Sequence, residues 1–262
     1  MGKITSLNND RVRRVQALQR STRRRYREAL LVAEGYRLVF EILSANISIV
    51  DVFYTEAFAA DDAGLELVHS LARCTASLWE VSSEVMVAIS DTMTPQGILA
   101  VLPFPQLSVP SDTPFTLIPD RIRDPGNLGT ILRTAWAAGV DQVLIPPATV
   151  DPFNSKVMRS GMGAHFHVPL RRVAWADIQG MIAGTAIWLA ESGQGVAYDD
   201  VDWCRRATLI VGGEAEGAGA EAHVLAGERL VYIPMAAGVD SLNAAIATAV
   251  LLFEVAKQRR FR

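Results

Sequence analysis

Cysteine is nearly absent from this chain. Two occur in 262 residues, Cys74 and Cys204, too far apart to suggest a pair and without neighbours that would make a metal site. A disulfide framework is therefore excluded, and a reducing, cytoplasmic compartment is the expectation. No apolar run is long and charge-free enough to span a bilayer. The opening residues, Met1 to Ser6, lack the apolar stretch of a signal peptide. There is no internal repeat and no low-complexity tract. What is present in quantity is apolar side chain, 50% of the residues. That is enough for a sizeable core in one large or two modest domains.

The net charge of −3 hides an asymmetry. Residues 1–30 carry Lys3, Arg11, Arg13, Arg14, Arg20, Arg23, Arg24, Arg25 and Arg27 against only Asp10 and Glu28. The end of the chain adds Lys257, Arg259, Arg260 and Arg262, which leaves 31–256 with −14. A basic arm on an acidic body points to a localised contact with a polyanion, and arginine suits bidentate phosphate binding. A solvated helix face would have the same composition.

Along the chain, 9–28 reads as one or two helices with a thin stripe of Val12, Val15 and Leu18. Strands are expected at Leu30–Ala33, Ile47–Tyr54, Leu78–Val81 and Ile98–Leu102. They alternate with helices at Gly35–Ser44 and Leu65–Ala72 and one starting near Ser82, which makes a small α/β domain over 1–105. Pro103, Pro105, Pro110 and Pro114 punctuate a polar stretch read as a linker, with the boundary at 105–114. In a second domain, 115–262, strands are expected at 115–119, Gln142–Ile145, Thr185–Ala190, Thr208–Val211 and Arg229–Ile233. A helix is expected at Asn154–Ser160, with Lys156 and Arg159 on one face. The last helix, Ser241–Lys257, is apolar nearly all round and must be buried on most sides.

Three polar clusters follow expected strands of the second domain. The first is Asp120-Arg-Ile-Arg-Asp-Pro-Gly-Asn127-Leu-Gly-Thr-Ile-Leu-Arg133, a strand–loop–helix passage. Asn127 suits the helix N-cap, and Arg133 lies about one and a half turns beyond it. The second, Gly212-Gly-Glu214-Ala-Glu-Gly217, lets a ligand approach the backbone beside one carboxylate. The third runs from Ile233-Pro-Met235 to Ser241-Leu242-Asn243, with Ser241 as the natural cap of the last helix. Ordinary turns and caps would account for each cluster alone. Their placement at strand ends, where open α/β sheets bind ligands, argues for a site.

Together, in this order, the clusters resemble the three motifs of the SpoU (TrmH) class of RNA ribose methyltransferases. The likeness extends to Asn154–Ser160, Gly163-Ala-His-Phe166, Glu34-Gly35 and Ser90–Gly97, and so to almost the whole chain. Ala215 departs from it, standing where glycine is frequent. The resemblance implies a parallel-sheet SPOUT domain tied in a trefoil knot, preceded by a small α/β substrate-binding domain. It implies S-adenosylmethionine held near Gly212, Gly217, Ile233, Met235, Leu242 and Asn243, a homodimer, and ribosomal RNA as partner, with no membrane and no metal involved. It also implies a catalytic group of Arg133, Asn127, Glu214, Ser241 and Asn243. Arg13, Arg14, Arg23, Arg24, Arg25, Lys156 and Arg159 are the candidate RNA contacts. A transfer-RNA methyltransferase and a non-catalytic RNA-binding protein on the same scaffold are the alternatives.

Two further nucleotide signatures are set aside. Glu191-Ser-Gly-Gln-Gly195 has the acidic-Gly-x-Gly look of a Rossmann-like methyltransferase, but only 67 residues follow it. Gly217-Ala-Gly-Ala-Glu-Ala222 has the spacing of a dinucleotide fingerprint with still less chain to complete the fold.

Overall fold

The computed structural model describes residues 2–74, 77–110, 115–214 and 216–260. Pro114, Ala215 and Arg262, used in the sequence reading, lie outside them. The chain forms two compact units. One is Met1–Gln106 with Phe153–Phe166, and the other is Leu107–Pro152 with His167–Arg262.

In the first unit, β1 (Gly2–Ile4), α1 (Asp10–Arg20), α2 (Thr22–Glu28), β2 (Leu30–Glu34), α3 (Tyr36–Ser44), β3 (Asp51–Thr55), α4 (Glu56–Ala59), α5 (Asp62–Cys74), β4 (Leu78–Val81), α6 (Ser83–Ile89) and β5 (Ile98–Pro103) follow in order. They build a five-stranded sheet, β1-β4-β3-β5-β2. Only its β3–β5 and β5–β2 pairs are antiparallel.

The basic N-terminus is not an arm. Val12, Val15 and Leu18, spaced three apart on α1, are buried in one core with Val32, Phe53, Met86 and Leu99. Such spacing keeps one helical stripe facing the sheet. Strand β1 is itself paired with β4. Deleting residues 1–28 would therefore open this core rather than trim a tail.

Arg25 corrects the charge reading most sharply. It is 3% exposed and donates to the Leu18 and Gln19 carbonyls at 2.7 and 3.1 Å, and to Thr22 Oγ1. It closes the open carbonyls of α1 and is not available to RNA. Arg25→Ala is expected to cost about 1–3 kcal/mol of stability through the buried acceptors it abandons. A denaturant melt reads that loss, and the salt dependence of RNA binding should not move.

The second unit has β6 (Phe115–Asp120), α7 (Pro125–Ala138) and β7 (Gln142–Ile145). The next helix, α8 (Ser155–Gly161), leaves it for the first unit. The sequence reading assigned this segment to the C-terminal domain. Phe153 stacks on Phe104 at 4.3 Å, and α8 packs on β2 with Val157 and Met158 buried. The chain then returns through β8 (Leu170–Arg172), α9 (Trp175–Met181), β9 (Ala186–Ala190), β10 (Val196–Ala197), β11 (Ala207–Gly212), α10 (Ala220–Ala226), β12 (Leu230–Tyr232) and α11 (Ala244–Arg260).

The seven strands lie in the order β10-β12-β9-β11-β6-β7-β8, every pair parallel. Parallel strands are covered on both faces, which is why β6 and most of β11 are continuous buried runs. From β6 the chain first builds outward through β7 and β8. It then builds on the other side of β6. The strand order thus reverses between β6 and β11, and that reversal opens a crevice at their carboxyl ends, where Asp120 pairs with Gly212.

Candidate active site

The loops after β6, β9, β11 and β12 all leave the carboxyl edge of the second sheet. Local chemistry decides which side chains they present. Helix α7 is capped by Asp124, whose Oδ1 accepts from the Asn127 N–H at 2.8 Å, with Pro125 opening the helix. The cap is therefore not Asn127, which sits in the first turn with its amide available. The sequence reading of α11 needs the same correction. Asn243, not Ser241, is its cap, with Oδ1 accepting from Ala245 at 3.0 Å and Ile246 at 3.3 Å. Its Nδ2 remains available to the site.

Those two amides converge on Glu214. Asn127 Nδ2 donates to Glu214 Oε1 at 2.9 Å, and the Ala244 N–H reaches the same oxygen at 3.2 Å. Asn243 Nδ2 also donates to Glu214 Oε1, and to Asn127 Oδ1 at 3.2 Å. One residue from each of the three clusters is thus joined, with every bond of the group on Oε1 and none on Oε2 among the described residues. Preorganised groups of this kind hold their geometry through neighbours rather than flexibility.

Beside this group lies a half-open cavity of about 180 Å³. Gly212, Gly217, Ile233, Met235 and Leu242 line it, together with Glu214 and Ser241. Its floor depends on close backbone approach: a Cβ at Gly212 would stand 2.4 Å from the Ala218 nitrogen, and one at Gly213 2.3 Å from the Arg121 carbonyl oxygen. Val211, Val231 and Leu251 supply apolar walls, and Glu191 and Ser192 supply polar ones. The last pair was missed as a site. Its signal was present in Glu191-Ser-Gly-Gln-Gly195 after an apolar strand, set aside because the remaining length could not complete a Rossmann-like fold.

A second cavity is lined by Arg121, Ile122, Arg123, Asp124, Asn127 and Glu216. Gly213, Glu214 and Ala244 line both cavities, so the Glu214 carboxylate stands in the partition between them. Below, Asp120 is buried, accepts from the Gly219 N–H at 2.6 Å, and has no partner on Oδ1 among the described residues. Burial pushes its carboxyl above the usual range, with the Gly219 bond opposing.

Arg133 is not brought to this group. It is exposed on α7, lines neither cavity and has no hydrogen bond or ion pair among the described residues. Of the candidate RNA contacts in the first unit, Arg13 and Arg23 are exposed. Arg14 binds Glu28 at 2.8 Å, holding that carboxyl below its ordinary value, and Arg24 binds it too. Arg159 reaches Asp91 at 3.4 Å, and Lys156 lies in the first turn of α8 under the Asn154 cap. Among the described residues no helix is long and apolar enough to cross a membrane, and no cluster of His, Cys, Asp or Glu is placed to hold a metal ion.

Residues 114–253 match the SpoU rRNA Methylase family, and residues 9–100 match an MRM3-like substrate binding domain. The chain belongs to the SpoU rRNA methylase family. The SpoU likeness extends over nearly all of this chain as well. The mitochondrial rRNA methyltransferase 3A of Danio rerio is 34% identical over 95% of this chain and 69% of that protein. The 23S rRNA (guanosine(2553)-2'-O)-methyltransferase RlmP of Bacillus subtilis is 31% identical over 97% and 99%. The crystal structure of an AdoMet-bound rRNA methyltransferase from Sinorhizobium meliloti superposes with a TM-score of 0.84, at 30% identity and 97% coverage of both chains.

Proposed function

We propose that this SpoU protein transfers a methyl group from S-adenosylmethionine to a ribose 2'-hydroxyl of ribosomal RNA. One observation carries the reading: two cavities of different character share the Glu214 partition. The first fits the cofactor, since apolar walls suit an adenine and the polar groups of Glu191, Ser192 and Ser241 suit its hydroxyls and amine. Gly212, Gly217, Ile233, Met235 and Leu242 would hold it. When bound, the cofactor supplies an electrophilic methyl group. Ribosomal rather than transfer RNA is favoured by the named activities of relatives that match nearly all of this chain.

The chain's own residues then have two tasks. Asn127 and Asn243 fix Glu214 through Oε1, leaving Oε2 to accept a hydrogen bond from the ribose hydroxyl and orient it. Arg133 would stabilise the alkoxide charge that develops as the proton passes to Glu214 Oε2. A guanidinium does not itself serve as the base, since its pKa lies above about 12. That Arg133 lies outside both cavities of its own subunit supports its being presented by a second subunit. The proposal therefore includes a homodimer, its interface drawn from α7 and α11. It also includes the trefoil knot, supported by the return of the chain from β12 through 233–243 to α11, which packs on α7 and β11. Two free cysteines fit work in the cytoplasm.

The test pairs calorimetric titration of S-adenosylmethionine with methyl transfer to unmodified ribosomal RNA, scoring product as alkali-resistant linkages. Saturable cofactor binding and ribose methylation are expected. Cofactor binding without transfer to any RNA would reduce the protein to a binding module, and methylation of bases would refute the acceptor.

A further inference from the structure

Arg121 and Arg123 were not among the expected site residues, yet they are the cations that line the second cavity. Both lie in the loop that joins β6 to α7, beside Asn127 and Glu214. Arg121 takes a left-handed backbone, φ 56°, a conformation that costs a non-glycine residue energy. Its carbonyl lies so close to Gly213 that a Cβ there would stand 2.3 Å from the oxygen.

Both groups meet the Glu216 carboxylate, and the Arg121 charge also acts on the buried Asp120 carboxylate. Arg123 Nη2 lies 2.9 Å from each oxygen of Glu216, and Arg121 Nη1 lies 3.6 Å from Oε2. The side chains are 63%, 34% and 48% exposed for Arg123, Arg121 and Glu216. An exposed ion pair of this kind contributes little to folding, so stability does not explain it. Chemically, a carboxylate with two oxygens against two guanidinium groups occupies the place a phosphate would take. No Lys or Arg is among the residues lining the first cavity, so this is where positive charge adjoins the Glu214 partition.

We propose that Arg121 and Arg123 seat a backbone phosphate of the RNA next to the target ribose, and that Glu216 occupies this seat until RNA displaces it. The inference rests on the methyltransferase reading above and assigns the substrate side of that site. A phosphate arriving there releases Glu216 to solvent, so two weak contacts are exchanged for charge-assisted bonds to RNA without refolding the loop. Unspecific polyanions would be partly rejected, because each must first outcompete Glu216.

The full-length protein and unmodified ribosomal RNA transcribed in vitro form the test, with affinity measured against salt. Arg121→Ala and Arg123→Ala should each lower affinity and flatten the log–log salt slope, together by about one. Glu216→Gln should strengthen binding by up to about fivefold, the worth of an exposed pair, and steepen the slope. S-adenosylmethionine affinity should match the wild type in all three, and melting temperature in Arg123→Ala and Glu216→Gln. Unchanged salt slopes in both arginine variants, or weaker RNA binding by Glu216→Gln, would overturn the seat. Loss of cofactor affinity in the arginine variants would also overturn it, placing these cations on the cofactor's carboxylate instead. A wild type that binds RNA but not S-adenosylmethionine would fail the methyltransferase reading separately, since the salt slopes do not depend on the cofactor.

Discussion

Arg133→Ala is expected to lower methyl transfer by at least about 10²–10³, the usual loss when one charge-stabilising donor is removed. Melting temperature and cofactor affinity should stay at wild-type values. Arg133 is exposed, outside both cavities and without a partner among the described residues, so folding places no demand on its guanidinium. If it acts at the reacting ribose, it acts from another subunit, and subunit mixing separates the cases. Glu214→Ala removes the partition group from its own site. A heterodimer of Arg133→Ala with Glu214→Ala then holds one complete site if Arg133 is supplied across the interface, and none if it is supplied within a subunit. Equal mixing should restore about a quarter of the wild-type rate in the first case. No recovery on mixing confines Arg133 to its own subunit. Near-native turnover by Arg133→Ala alone removes it from the chemistry.

The polar group of the candidate site was more legible in the sequence than the details of the fold around it. Strand-end clusters announce themselves because Asn127, Glu214 and Asn243 are polar where a buried strand has just ended, and the structure joins one residue of each. The caps differ from the sequence expectation by three residues at α7 and two at α11, for a common reason. Asp124 and Asn127 both suit a cap, as do Ser241 and Asn243, and only backbone geometry chooses between such candidates. The residue not used as a cap was the free one at α7, whereas Asn243 does both jobs, capping through Oδ1 and joining the site through Nδ2. Strands β8 and β10 were not legible, since Leu170-Arg-Arg and Val196-Ala are too short to show a period. The basic N-terminus misled because charge counts carry no depth. Arg25 and Arg27 are neighbours with the same chemistry, yet one closes the end of a helix inside the unit and the other is exposed. Nor could local pattern place α8 with the first unit, a choice made by the aromatic contact between Phe153 and Phe104.

Phe253→Glu is expected to convert the proposed dimer to monomers. The expectation that α11 is covered on nearly all sides meets an uneven surface. Leu251 and Leu252 are 1% and 0% exposed inside their own unit, whereas Ile246 and Phe253 are 55% and 49% exposed. Ile246 and Phe253 are seven residues apart, so they stand on one stripe of the helix. On α7, which packs beside α11, Trp136 is 36% exposed and stacks on His167 at 4.1 Å. Large apolar groups gathered on neighbouring helices mark an interaction surface, and a two-fold contact would bury each copy against its counterpart. A glutamate at 253 would enter that contact twice, at a cost of about 3–5 kcal/mol for each unpaired buried charge. Dimer affinity should fall by about ten-thousandfold or more, with methyl transfer lost alongside because Arg133 no longer reaches a partner. Each monomer should still bind S-adenosylmethionine and melt cooperatively, since Phe253 is not in the core. Leu251→Glu, by contrast, should unfold the second unit, because that side chain packs inside it and lines the first cavity. Light scattering at micromolar concentration distinguishes these outcomes. A monomeric wild type would refute the dimer, and a Phe253→Glu protein that stays dimeric and active would move the interface off this stripe.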